Sequence, residues 1–168
     1  MSDPTEGVFQ VAIVTVSDRS YRREREDRGG PAVAAIVKAA GFQIVSQQIV
    51  PDEPHVIEST LRSLVAMHIP LILTTGGTGF GPRDVTPEAT RRVITREVPG
   101  LAEEMRRQGI ARNRHAILSR AVSGICETSL LVNLPGSPTG AVESLEAIIG
   151  TFAHALSVLT RPAFHHDA

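Results

Sequence analysis

Near-continuous apolar runs alternate along this chain with stretches in which apolar residues recur every third or fourth position. The first texture predicts strands covered on both faces, the second predicts helices with one buried stripe. Residues 8–16, with Val8, Phe9, Val11, Ala12, Ile13, Val14 and Val16, make the first strand. Pro31 then opens a helix with Val33, Ile36, Val37 and Ala40 on one face, and Gly41 stops it. Residues 42–50 predict a second strand, and Ile57, Leu61, Leu64 and Val65 a second helix. Residues 70–74 predict a third strand. A helix from Pro87 carries Ala89 and Val93 and ends before Pro99, and Pro99-Gly100 opens another that runs through Leu101 and Met105 to a cap at Gly109. Residues 115–121 and 129–134 read as strands. One long helix over 138–159 presents Val142, Leu145, Ile148, Ile149, Phe152, Leu156 and Leu159.

This alternation predicts a single α/β domain over 1–168, with its core at about 8–160. It is expected to be a three-layer α/β/α, Rossmann-like fold around a mostly parallel sheet. Residues 1–7 read as a loose leader, and His165-His166 as part of a disordered tail. There is no Trp and one Tyr, so the core must be aliphatic, which suits a parallel sheet between helices. A formal net charge of −1 gives no global attraction to nucleic acid or to an anionic membrane. The single cysteine, Cys126, excludes a disulfide framework and a cysteine-based zinc site, and its apolar flanks read as a buried, inert thiol. No apolar run reaches the roughly 18 residues of a membrane span, and the first residues lack a secretory pattern, so a cytoplasmic protein is expected.

The most informative stretch runs from Leu71 to Thr90. An apolar strand breaks into four glycines within residues 76–81 and closes on Thr86-Pro87-Glu88, which reads as a helix start with a hydroxyl cap. Strand, glycine loop and helix N-terminus together can hold an anion on backbone N–H groups. Thr75, Gly76, Gly77, Thr78 and Gly79 are the candidate cradle, and Arg83-Asp84 adds one charge of each sign. The run lacks the Gly-Lys-Ser/Thr of a Walker loop and the glycine spacing of the dinucleotide fingerprint. Parallel strands bring their carboxyl ends to one edge. That edge should also collect Ser17-Asp18, Asp52-Glu53 and Pro135-Gly136-Ser137. Carboxylates beside a phosphate cradle repel the phosphate unless a divalent cation bridges them, and such oxygen-rich sites suit Mg²⁺. A Mg²⁺-nucleotide or another polyphosphate is therefore the expected ligand.

Each residue also has a plainer reading. Asp84 could be a turn residue paired with Arg83, Asp52 a helix cap, Asp18-Arg19 an exposed ion pair, and Ser119 a strand-end hydroxyl. The charge run at residues 20–28 reads either as a solvated loop or as a cationic flap over an anionic ligand.

Residues 74–90, Thr-Thr-Gly-Gly-Thr-Gly-Phe-Gly-Pro-Arg-Asp-Val-Thr-Pro-Glu-Ala-Thr, closely resemble the MoaB/Mog family, which includes the molybdopterin adenylyltransferases and the G domain of gephyrin. Thr15-Val16-Ser17-Asp18, Leu118-Ser119-Arg120 with Gly124, and Asn133-Leu134-Pro135-Gly136-Ser137-Pro138 agree in order and spacing. The resemblance implies the three-layer fold, a homo-oligomer (trimeric in Mog-type members, higher in MoaB-type ones), and a possible partner that inserts molybdate. It implies a reaction of Mg-ATP with molybdopterin that gives adenylyl-molybdopterin and pyrophosphate. The family's two functional aspartates match Asp52 and Asp84, which are also the candidate Mg²⁺ ligands, and its ligand-contacting serine matches Ser119. Two features depart from the pattern. The family's common Asp-x-Ser-Gly-Pro reads Asp27-Arg28-Gly29-Gly30-Pro31 here, and residues 20–28 are unusually charged. Retention of Arg83-Asp84 favours the catalytic Mog type over a non-catalytic pterin-binding or scaffold member. It also disfavours a nucleotide pyrophosphatase of related fold, whose loop carries paired aspartates.

Overall fold

The computed structural model describes residues 7–162; most of the leader and the His165-His166 tail lie outside them. Six strands form one sheet in the order β2-β1-β3-β6-β5-β4. These are β1 (Gln10–Val16), β2 (Gln43–Val50), β3 (Leu71–Thr75), β4 (Arg96–Glu97), β5 (Ser123–Cys126) and β6 (Ser129–Leu134). The β2, β1, β3 and β6 strands are mutually parallel, whereas β5 pairs antiparallel with β6 and β4 antiparallel with β5. The predicted mostly parallel α/β sheet is thus present, with an antiparallel margin.

Alternation along each central strand builds the two outer layers. Val11, Ile13, Leu71, Leu73, Leu130 and Val132 face one cluster. It is completed by α2 (Gly29–Ala39), α5 (Pro99–Arg112), α6 (Pro138–Ile148) and α7 (Phe152–Leu159). Ala12, Val14, Val16, Ile72 and Leu131 face the other side, where α3 (Pro54–Ala66) and α4 (Thr86–Arg91) pack. Both faces of β1 and β3 are covered, so their sequences read as continuous apolar runs rather than alternating ones.

Four sequence expectations are corrected. Residues 115–121 are not a strand: Arg114–Leu118 is a 3-10 turn, opened by the Asn113 side chain accepting from the His115 N–H at 3.0 Å. Its apolar residues misled because Ile117 and Leu118 are exposed, not core. Gly109 does not end α5, which continues to Arg112; the glycine instead lets Ala116 approach, since a Cβ there would lie 2.8 Å from that methyl. The long C-terminal helix is broken by a 3-10 turn at Ile149–Thr151. Although Pro138–Leu159 is long and apolar enough to span a membrane by length and composition, Leu145, Ile148, Phe152 and Leu156 lie fully buried against the sheet. The charged 20–28 run begins as a helical turn, α1 (Asp18–Tyr21), capped by the Ser17 hydroxyl.

Candidate functional site

The chain leaves β1 toward β2 on one side, while β3 lies on the other. A crevice therefore opens beyond the carboxyl ends of β1 and β3, where open α/β sheets bind ligands. The glycine loop after β3 sits in it. Gly76 has φ 107°, and a Cβ there would lie 2.2 Å from the Val16 carbonyl oxygen, so only glycine lets the ends of β1 and β3 come this close. Gly77 has φ 67°, and a Cβ there would meet Thr86 Oγ1 at 2.3 Å and Asp52 Oδ1 at 3.2 Å. The loop is stitched to the end of β6 as well: Thr75 Oγ1 donates to the Pro135 carbonyl at 2.7 Å, and the Gly76 N–H donates to Leu134 O at 3.1 Å.

These bonds narrow the expected anion cradle. The N–H groups of Gly76, Gly81 and Thr86 are committed, to Leu134 O, Asp84 Oδ2 and Gly77 O. The N–H groups of Gly77, Thr78 and Gly79 find no acceptor among the described residues. Thr86 is also not the expected hydroxyl cap: Val85 occupies the cap position, and Thr86 Oγ1 is buried without a hydrogen-bond partner.

The carboxylates hold the neighbouring loops together. Asp52 Oδ2 accepts from the Asp18 N–H at 2.8 Å, and Asp18 Oδ1 accepts in return from the Asp52 N–H at 3.0 Å. Arg83 donates through Nε and Nη2 to both Asp18 oxygens, at 2.6 and 3.1 Å, and through Nη2 to Glu53 Oε1 at 2.6 Å. Asp84 does not pair with Arg83; it turns back on its own loop and accepts from the Gly81 N–H at 2.8 Å. Asp52 is not a helix cap, since Glu53 occupies that position before α3 and the Asp52 side chain faces Asp18. The two linked aspartates are driven apart in acidity. Its hydrogen bond from Arg83 holds the Asp18 carboxyl below its ordinary range. Burial, reinforced by the Asp18 and Asp84 charges against a hydrogen bond from Asp18, pushes Asp52 up. Burial likewise raises the Cys126 thiol, in line with its reading as inert.

A residue that sequence reasoning left without a role fixes the far side of the glycine loop. The Arg120 guanidinium donates to Gly79 O at 2.7 Å and Asp84 O at 2.6 Å, and pairs with Glu88. The Arg120 N–H adds a bond to Thr78 O at 2.9 Å. Arg106 in turn donates to the carbonyls of Ser119 and Ala121, both at 3.1 Å, which fixes the segment that carries Arg120. The only local signal was the basic residue after Ser119; its partners lie 32 to 42 positions away.

Two cavities flank the loop. One, of about 620 Å³, is lined by Thr78, Gly79, Asn113, Ser119 and Pro135 among others. The other, of about 960 Å³, is lined by Ser17, Asp18, Asp52, Thr75, Gly76 and the arginines of the 19–28 segment. Gly77, Asp84, Gly136 and Ser137 line both. All the sequence-predicted site residues except Arg83 therefore border one or both cavities. Arg83 stands behind them as a clamp between loops.

Residues 12–155 match the family model described as "Probable molybdopterin binding domain". The chain belongs to this family. The crystal structure of the molybdopterin biosynthesis enzyme MoaB from Thermus thermophilus superposes with a TM-score of 0.87 at 48% identity, over 92% of this chain and 99% of that one. A molybdopterin adenylyltransferase from Haemophilus influenzae is 42% identical over 84% of this chain and 73% of its own length. The molybdenum cofactor synthesis protein cinnamon of Drosophila melanogaster is 37% identical over 88% of this chain, which spans only 25% of that longer protein. The resemblance carried by the glycine-loop run is thus a family relationship across most of the domain. The chain is similar to proteins of molybdenum cofactor biosynthesis.

Proposed function

We propose that this protein is a molybdopterin adenylyltransferase, which transfers the adenylyl group of Mg-ATP to molybdopterin and releases pyrophosphate. The observation that carries the reading is the shared wall of the two cavities at Gly77, Asp84, Gly136 and Ser137. Two ligands lying in separate lobes would meet there, end to end. The nucleotide belongs in the lobe bordered by the 19–28 segment with its four arginines, and the pterin in the lobe with Asn113 and Ser119, which Arg106 and Arg112 also border.

In the reaction, an oxygen of the molybdopterin phosphate forms a bond to the α-phosphorus of ATP. The bond from that phosphorus to the β-bridging oxygen breaks, and its electron pair leaves with pyrophosphate. The nucleophile is already an anion, so the chain must supply position and charge compensation rather than a strong base. The N–H groups of Gly77, Thr78 and Gly79 bind phosphate oxygens. Ser17, Asp18 and Thr75 shape the nucleotide lobe, and Ser119, Pro135 and Ser137 line the pterin side of the wall. Arg83 is compensated by Asp18 and Glu53, so it holds the loops in register rather than meeting new negative charge.

Asp52 and Asp84 fit a magnesium site completed by substrate. Both border the nucleotide lobe, and the charge of Asp84 helps to raise Asp52. No set of three His, Cys, Asp or Glu that could hold a metal occurs among the described residues. This suits an ion held by one or two carboxylates with phosphate oxygens supplying the rest. When bound, Mg²⁺ neutralises charge on the phosphates. The same reading carries a cytoplasmic homo-oligomer, taken as a trimer, that passes its product to a molybdate-insertion protein.

The test is a turnover assay with molybdopterin, ATP and Mg²⁺ that follows pyrophosphate and adenylyl-molybdopterin, wild type beside Asp84→Asn. The wild type is expected to form both products and the variant neither. Tight molybdopterin binding without either product would instead identify a non-catalytic pterin-binding member.

A further inference from the structure

The transfer reaction leaves one charge problem that the glycine loop does not solve. The leaving pyrophosphate carries more negative charge than the transferred adenylyl group, and Arg83 is already neutralised by two carboxylates. Four other arginines border the nucleotide lobe: Arg19, Arg22, Arg25 and Arg28. All are exposed. Arg22 pairs with Glu24 at 3.1 Å and Arg28 weakly with Glu26 at 3.8 Å. Arg19 and Arg25 make no ion pair among the described residues.

The segment that carries them is anchored at both ends. At its start, the Ser17 Oγ accepts from the Ser20 N–H at 3.2 Å, and the Ser17 N–H donates to Val50 O at 2.9 Å. At its end, Asp27 accepts from Thr15 Oγ1 at 2.7 Å and from the Gly30 N–H at 3.0 Å. Inside, Arg23 adopts φ 60° and donates its N–H to Ser20 O, while the Glu24 N–H donates to Arg19 O at 2.9 Å. The loop is therefore a shaped turn that keeps Arg19 and Arg25 on the same lobe. The lobe is bipolar: Asp84 lies at the shared wall with Asp52 beside it in this lobe, and the guanidinium groups, interleaved with Glu26 and Asp27, line the loop.

We infer that Arg19 and Arg25 form a subsite for the β- and γ-phosphates of the nucleotide and for the pyrophosphate that leaves. This rests on the adenylyl-transfer reading and adds its leaving-group side. Guanidinium groups suit this task, because they stay charged and bind phosphate oxygens in forked pairs. The subsite discriminates by phosphate number: ATP and pyrophosphate reach it, and AMP does not.

The experiment is calorimetric titration of the full chain with ATP, AMP and inorganic pyrophosphate, each with Mg²⁺, for wild type and an Arg19→Gln/Arg25→Gln double variant. Wild type is expected to bind ATP more tightly than AMP. The double variant should lose roughly tenfold or more in affinity for ATP and pyrophosphate, the effect of removing charge-assisted bonds, with AMP changed less than about twofold. An Arg19→Lys/Arg25→Lys variant should recover part of the loss, and circular dichroism confirms that each variant is folded. Equal ATP and AMP affinities in wild type, or equal losses for both in the double variant, overturn the subsite. A wild type that prefers ATP and pyrophosphate yet forms no adenylyl-molybdopterin supports the subsite and overturns the reaction.

Discussion

Two arginine-bearing loops border the same sheet edge and use their charge in opposite ways. In the glycine loop, Arg83 is clamped between Asp18 and Glu53, and Arg120 reaches in from another segment to bind its carbonyls. Charge there is spent on geometry: it fixes where Asp84 and the Gly77–Gly79 N–H groups stand. In the 19–28 loop the backbone sets the shape, and the guanidinium groups of Arg19 and Arg25 remain exposed to the cavity. A basic residue beside the glycine loop is therefore not by itself free to meet an anionic ligand; what it already touches decides.

The largest effect that sharpens this contrast should come from Asp84→Asn. The amide oxygen can still accept from the Gly81 N–H, so the loop should keep its shape. Turnover is expected to fall by about a hundredfold or more, as when a preorganised charge is removed from a transfer site. Near-normal turnover in a stopped assay would remove Asp84 from the chemistry. Next comes Arg120→Ala, which frees the carbonyls of Gly79 and Asp84 together. Loss of these half-buried charged bonds should lower stability by about 1–3 kcal/mol in urea titrations and reduce kcat with it. If kcat held while stability fell, the latch would be structural only.

Arg83→Gln should matter less for nucleotide affinity than the Arg19 and Arg25 substitutions, because its charge is already compensated. Its effect should appear in kcat, through loosened loops, with the Kd for ATP changed less than about threefold. A loss of ATP affinity as large as that of the 19/25 variant would erase the distinction between the two loops.

The smallest effect is a stability change at Asp52. The folded state raises this carboxyl above its ordinary value of 3.8, so it holds the proton more tightly than the unfolded chain does. Below 3.8 both states are protonated and the fold carries no cost; the cost sets in as pH rises past 3.8, where the unfolded chain ionises first, and is complete once pH has risen through the raised value. Asp52→Asn keeps an acceptor for the Asp18 N–H and removes that cost. Its melting temperature should exceed that of wild type by about 1–3 °C near neutral pH, converging as the pH approaches that of a free carboxyl. Adenylyl transfer should be lost at the same time. A lower melting temperature at neutral pH would show that the carboxylate stabilises the fold.

The parallel centre of the sheet was legible because β1 and β3 are covered on both faces, and the resulting apolar runs have no competing reading. The antiparallel margin was not. Residues Ala116-Ile117-Leu118 have strand-like composition but lie exposed on a 3-10 turn, while the short true strand β5 hides in a run with Gly124 and polar Ser123. Propensity cannot separate these, because burial by distant segments sets the outcome.

For the site, the sequence by itself determined which residues gather at the carboxyl edge. Strand ends and glycines are local signals, and a parallel sheet brings its ends together. It also determined the family, through the run from Thr74 to Thr90. Only the tertiary structure decided what each charge does. It committed the Gly76 N–H to Leu134 and left those of Gly77, Thr78 and Gly79 available. It neutralised Arg83 with residues 65 and 30 positions away, and turned Arg120 into the latch of a loop 36 to 41 positions before it. Hydrogen bonds and ion pairs act over a few ångströms, and which side chains come that close depends on the topology, not on their spacing in the chain.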